Sequence, residues 1–389
     1  MTTLLRPRLQ PTQPGPTTTI AAPANVTERW TAQEVRAPDS WLERAKRKHR
    51  RNAPTWTVQA RRWDPPARGS TRAGGAVGAR AAVDGAAGTE AGAAQVGTEH
   101  PARHVPVVLV HGLVVASSLC TPLARHLATD GVVYAPDLPG FGRSDRPRPP
   151  LQVPELADAL AEWIRRQVGT AAVLVGVSLG TQIALHAARR HPSSAVGLVM
   201  ASPTFEPEVR RLRKALPQWQ REQATQSWAL RARQARDYAR AGPRRAIATV
   251  RAGMADAPEQ HIDEVPVPAL VVRGGRDPLV SPEWARELAH YARADLALVP
   301  QGMHAMTYEN PLELGRVVNG FIDRLADRHG TDLQRRGGTD LQRRGGTDLQ
   351  RRGGTDPQRP HADRPRHERT ADRSRSGGRE GQVEERGGR

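Results

Sequence analysis

Residues 172–190 read AVLVGVSLGTQIALHAARR, and the fold turns on this stretch. Its first six residues are an unbroken apolar run rich in valine, the pattern of a strand buried on both faces. Its last twelve carry apolar residues at helical spacing. The join is Gly176-Val177-Ser178-Leu179-Gly180, a serine with glycine two residues to either side, set where strand passes into helix. A serine on so sharp a turn is held in a strained backbone conformation with its hydroxyl lifted out of the sheet. The same turn brings the Leu179 N–H to a helix N-terminus, where free donors and the helix dipole favour a developing negative charge.

Outward from this unit the rhythm repeats. Short apolar runs at 105–110, 131–136 and 195–200 are separated by helical patterns at 118–129, 154–168 and 179–190. Two more runs, 269–274 and 294–300, alternate with helices at 282–293 and 311–327. Strands alternating with helices predict an α/β fold with a mostly parallel central sheet flanked by helices. Residues 202–265 break the rhythm. They have helical composition and no β-type run, so they read as a helical cap inserted near the strand ends, where open α/β sheets bind ligands.

A serine hydroxyl needs a base to take its proton and an acid to orient that base. In a sheet of this kind the acid and then the histidine follow the serine, each at the C-terminal end of a strand. ALVVRG (269–274) runs into Gly275-Arg276-Asp277, and ADLALVP (294–300) runs into Gln301-Gly302-Met303-His304. Asp277 and His304 are therefore the candidate acid and base. His186 and His191 fall in the helix after the serine, His261 in the insertion and His290 on a helix face, so none meets that rule. The loop after the first core strand, His111-Gly112-Leu113, supplies a second oxyanion donor in the Leu113 N–H, with His111 as a structural residue. Asp137-Leu138-Pro139-Gly140-Phe141-Gly142-Arg143-Ser144-Asp145 has the spacing of a tight loop and is read as structural. Val114, with Val115 and Ala116, makes the loop after the first strand apolar; Trp219, Trp228 and Tyr238 are the aromatic candidates for substrate contact in the cap.

The flanks differ from this centre. The chain has 389 residues and a net charge of +18, but the excess lies mainly outside 105–328. Residues 1–104 carry 16 Lys/Arg against 8 Asp/Glu, residues 329–389 carry 15 against 10, and the middle carries 27 against 22. Poor in burying side chains, both flanks are expected to be largely disordered. Within the N-terminal extension a short basic helix (40–51) and an edge strand (55–63) are expected; the C-terminal tail repeats TDLQRRGG from 331, 339 and 347. Nucleic-acid or polyanion binding by these basic tails is a minor alternative. A single cysteine, Cys120, rules out an internal disulfide, the N-terminus shows no apolar signal region, and no stretch nears 18 apolar residues. The expectation is a cytoplasmic protein without a membrane span.

The set HGL (111–113), DLPGFGRSD (137–145), GVSLG (176–180), GGRD (274–277) and GMH (302–304), in this order, resembles the α/β-hydrolase superfamily. The likeness is to its branch of esterases, meta-cleavage C–C hydrolases and cofactor-free haloperoxidase-like enzymes, and it covers about 105–328. It implies a Ser178, Asp277, His304 triad, no metal or cofactor, and a small-molecule substrate, foremost a small or medium hydrophobic carboxylic ester. A C–C hydrolase, a perhydrolase, a lyase or a triad-retaining ligand receptor are the other readings. Relatives that act as dehalogenases or epoxide hydrolases place Asp where this chain has Ser178, which argues against both activities.

Overall fold

The computed structural model describes residues 26–45, 53–66, 105–210 and 212–345, with side chains to 328 except at 212 and 213. In chain order the elements are β1 (Thr27–Arg36), α1 (Asp39–Arg44), β2 (Thr55–Asp64), β3 (Val107–Val110), α2 (Thr121–Leu127), β4 (Val133–Pro136), α3 (Val153–Trp163), β5 (Ala172–Val177), α4 (Leu179–Arg190) and β6 (Ala195–Ala201). There follow α5 (Leu212–Thr225), α6 (Trp228–Ala241), α7 (Pro243–Ala255), β7 (Ala269–Gly274), α8 (Pro282–Tyr291), β8 (Asp295–Val299), α9 (Met306–Glu309) and α10 (Pro311–Gly345).

One eight-stranded sheet runs β1-β2-β4-β3-β5-β6-β7-β8. The β1–β2 and β2–β4 pairs are antiparallel and every later pair is parallel. Strand composition follows position. β3 and β5 are buried along their whole length, as parallel strands covered on both faces must be. Alternate residues go to opposite sides: Val108, Val110 and Leu174 join the core beneath α3, α4 and α8, while Val107, Leu109, Val173 and Val175 join the core beneath α2 and α10. A fully buried Val or Leu contributes about 1.5–3 kcal/mol, so the register of these strands is strongly fixed.

The N-terminal extension is more ordered than its composition suggests. β1 has no counterpart among the sequence expectations, and β2 is no edge strand, since it lies between β1 and β4. Its alternation of buried Trp56, Val58 and Ala60, with Trp63 buried in the core on the other face, is what anchors it. The helix expected over 40–51 is α1, ending at Arg44, and residues 46–52 lie outside the described set. Arg44 forms a forked pair with the buried Glu155 at the start of α3, at 2.8 and 2.5 Å, and Trp41 donates to the Pro149 carbonyl at 2.9 Å.

At the other end α10 continues as helix through the first TDLQRRGG copy and most of the second, to Gly345. Leu, Gln and Arg are strong helix formers and offset the paired glycines of each copy. Residues 346–389 lie outside the described set.

Candidate active site

Ser178 sits between β5 and α4 at φ 55°, ψ −126°, the left-handed side that non-glycine residues avoid. The glycines around it are needed for close approach. A Cβ on Gly176 would stand 2.4 Å from the Gly180 carbonyl oxygen, and one on Gly180 would stand 2.2 Å from that of Val110. Sheet, turn and helix therefore meet backbone to backbone. Ser178 donates its N–H to the Ala201 carbonyl at 3.0 Å, and its carbonyl accepts from the Thr181 hydroxyl at 2.6 Å. Its own Oγ lies 3.4 Å from the Thr204 hydroxyl.

Asp277 follows β7 and His304 follows β8, neighbouring strands. The His304 Nδ1–H donates to both Asp277 carboxylate oxygens, at 3.0 and 2.9 Å. Asp277 is further held by the Leu279 N–H at 2.8 Å, and both side chains are buried. Burial alone would lower the His304 pKa; the Asp277 charge and hydrogen bond, with Glu222, outweigh it and leave it raised. With Nδ1 committed to Asp277, Nε2 is the ring nitrogen left for proton transfer.

Ser178 and His304 line one cavity of about 240 Å³, together with Gly112, Leu113, Val115, Trp219 and Tyr238. Gly112 lies directly against the serine, since a Cβ there would be 3.1 Å from the Ser178 Cβ. Among the described residues the Leu113 and Leu179 N–H groups have no hydrogen-bond partner within the protein. His111 is buried and bridges two loops, with Nδ1 at 3.0 Å from the Gly112 carbonyl and Nε2 accepting from the Leu138 N–H at 3.0 Å. Burial lowers its pKa, consistent with that neutral tautomer. Asp137 accepts from the Ser117 and Arg143 N–H groups at 2.8 and 2.9 Å, and Asp145 from Thr57 at 2.7 Å. The 137–145 motif thus stitches β2 to the site loops.

Two expected substrate contacts lie elsewhere. Val114 turns inward at φ 56° and packs in the core, so Val115 takes its place at the cavity. Trp228, 78% exposed, opens the outer face of α6, because the inward stripe of that helix is Leu230, Gln234 and Asp237. Conversely, sequence reading passed over Glu222 and Asp237. Glu222 is 1% exposed and lines the cavity. One of its oxygens accepts from Gln226 at 3.0 Å, and burial raises its pKa. Asp237 accepts from the Ala116 N–H at 3.2 Å and the Ser118 hydroxyl at 3.3 Å, pinning α6 to the loop after Leu113. They are the two acids among ten basic residues in 212–255, a signal that was visible in the sequence. Cys120 also lines the cavity, but burial pushes its thiol up to about 12, leaving it a poor rival nucleophile.

Among the described residues no group of three or more His, Cys, Asp or Glu is placed to hold a metal ion, and no helix is long and apolar enough to cross a membrane.

A model of the alpha/beta hydrolase family matches residues 107–317, and the chain belongs to that family. Curated relatives match over a shorter span. A pimeloyl-[acyl-carrier protein] methyl ester esterase of Xanthomonas campestris is 37% identical over 100 residues, 25% of this chain and 38% of that protein. The abhydrolase domain-containing protein abhd-5.2 of Caenorhabditis elegans is 34% identical over 102 residues, 25% of this chain and 23% of that protein. The chain thus spans well under half the length of either relative. Among solved structures, a candidate aryl esterase from Burkholderia cenocepacia superposes with a TM-score of 0.53 at 17% identity, covering 76% of this chain and 100% of that one. A hydrolase from Oleispira antarctica superposes with a TM-score of 0.50 at 15% identity, covering 57% and 92%. Both show likeness of fold.

Proposed function

We propose that this chain is a serine hydrolase acting on a small or medium hydrophobic carboxylic ester. The observation that carries the reading is the meeting of a strained serine with an Asp-paired histidine in one mainly apolar cavity. Ser178 Oγ attacks the ester carbonyl as His304 Nε2 takes its proton, and Asp277 orients and charge-stabilises the imidazolium. The Leu113 and Leu179 N–H groups receive the oxyanion. His304 then protonates the departing alcohol, and water, deprotonated by the same histidine, releases the acid. A cavity of about 240 Å³ suits a compact acyl group better than a peptide. The relatives named as methyl ester esterases support an ester over other carbonyl substrates.

The test is labelling by a fluorophosphonate, which phosphonylates an activated serine. Wild type should label and Ser178→Ala should not. Equal labelling of both would overturn the assignment.

A further inference from the structure

The charge of the folded region is divided between its parts. α5–α7 (Leu212–Ala255) hold ten Lys/Arg against two Asp/Glu, whereas the remainder of 105–328 holds 17 against 20. Both cap acids are buried. Seven of the ten basic residues are exposed, Arg221, Arg231, Arg236 and Arg240 among them, and among the described residues none of the seven forms an ion pair. Arginines elsewhere do pair, as in Arg189–Glu264, Arg190–Asp158 and Arg165–Glu162.

The same helices expose large apolar side chains: Trp228 is 78% exposed, Ile247 53%, Leu216 48% and Trp219 41%. On α6, Trp228 and Arg236 point away from the buried stripe, and the Arg231 guanidinium lies 6.0 Å from the Trp228 ring. Leu216 and Trp219 also line the cavity, so it reaches the surface beside α5. A soluble acidic partner would answer the arginines and leave Trp228 and Ile247 in water. The boundary of a bilayer containing anionic lipid answers both, since tryptophan and aliphatic side chains enter the headgroup region while arginines meet lipid phosphates.

We propose that the outer face of the cap docks on a bilayer containing anionic phospholipid, with the cavity mouth at Leu216 and Trp219 turned toward it. The docking stands apart from the ester reading; only the further step, passage of an apolar ester from lipid into the cavity, rests on it.

The experiment is co-sedimentation of the full chain with vesicles of phosphatidylcholine, alone or mixed with phosphatidylglycerol. Wild type should bind the mixed vesicles and spare the neutral ones, and added salt should weaken binding. The Arg231→Glu, Arg236→Glu, Arg240→Glu triple variant should partition about a hundredfold more weakly or worse, at roughly fivefold per cation lost near the surface. Trp228→Ala should weaken vesicle binding and leave binding to soluble polyglutamate unchanged. Thermal melting checks that the variants fold, and Arg231→Gln with Arg236→Gln replaces the triple variant if it does not. Cap variants that bind vesicles as wild type does would assign the binding to the tails and overturn the proposal. Polyglutamate binding that falls with Trp228→Ala as vesicle binding does would overturn it in favour of a soluble acidic partner.

Discussion

The sheet and the cap solve different problems with different parts of the chain. In the sheet, chemistry is set by backbone. Ser178 is held by a turn that tolerates only glycine at 176 and 180, and Asp277 and His304 leave neighbouring strands as a bonded pair. In the cap, three helices present side chains whose backbone would accept many others: the inward ones shape a cavity, and the outward ones include unpaired cations and exposed apolar groups. Constraint on the sheet is geometric and strong; constraint on the cap is a matter of which groups face which way. Substitutions in the sheet should therefore remove the reaction, whereas those in the cap should redirect it.

The sharpest form of that contrast is Ser178→Ala. Hydrolysis of a short p-nitrophenyl ester should fall on the order of a millionfold with the thermal midpoint nearly unchanged, because the hydroxyl carries only one long contact, to Thr204. Asp277→Asn should cost about ten-thousandfold in kcat, since His304 would lose both the charge and the acceptor that fix its tautomer. A modest loss in either variant would break the comparison at its sheet end.

The cap should respond by one or two decades. Trp219→Ala removes a wall of the cavity and should lower kcat/KM about tenfold to hundredfold for the best ester, move the preferred acyl length upward, and leave fluorophosphonate labelling intact. Trp228→Ala, which touches no part of the cavity, should leave the kinetics in solution within about twofold. If Trp228→Ala shifted acyl preference as Trp219→Ala does, the inward and outward division of the cap would fail.

The same division explains what could be read in the sequence. Parallel strands buried on both faces must be apolar along their length, and strand ends carry short glycine-rich signatures, so β3, β5 and β7 and the strand-end positions of Ser178, Asp277 and His304 were legible. Which face of a cap helix turns inward depends on contacts with distant residues. Trp219 and Trp228 look alike in sequence, and only the packing of Leu230, Gln234 and Asp237 separates them. Val114 was misplaced for a related reason: a positive φ swings it into the core and gives the cavity to Val115. β1 escaped notice because its strand is mostly half-buried or exposed, with few apolar residues to mark it. The division of charge was hidden by averaging, as a cationic cap and a slightly acidic remainder together look almost neutral.

Glu222 tests where the two regions touch, through the smallest effect. It reaches the sheet's histidine from the cap: its charge helps hold the His304 pKa up, against a burial that would lower it. His304 accepts a proton only when neutral, so activity should rise with pH through a value above that of an ordinary histidine. Glu222→Gln removes one of the raising influences and should move the acid limb of the kcat/KM profile to lower pH, with the plateau rate little changed. Stability should move as well. A carboxyl raised by burial, as Glu222 is, costs the folded state stability as pH climbs from its unfolded toward its folded pKa. The variant should therefore melt higher than wild type at neutral pH, and the difference should vanish below the unfolded carboxylate pKa. An acid limb that stayed fixed would mean that the cap exerts no electrostatic hold on the sheet's base, and the two regions would then be coupled through the shape of the cavity alone.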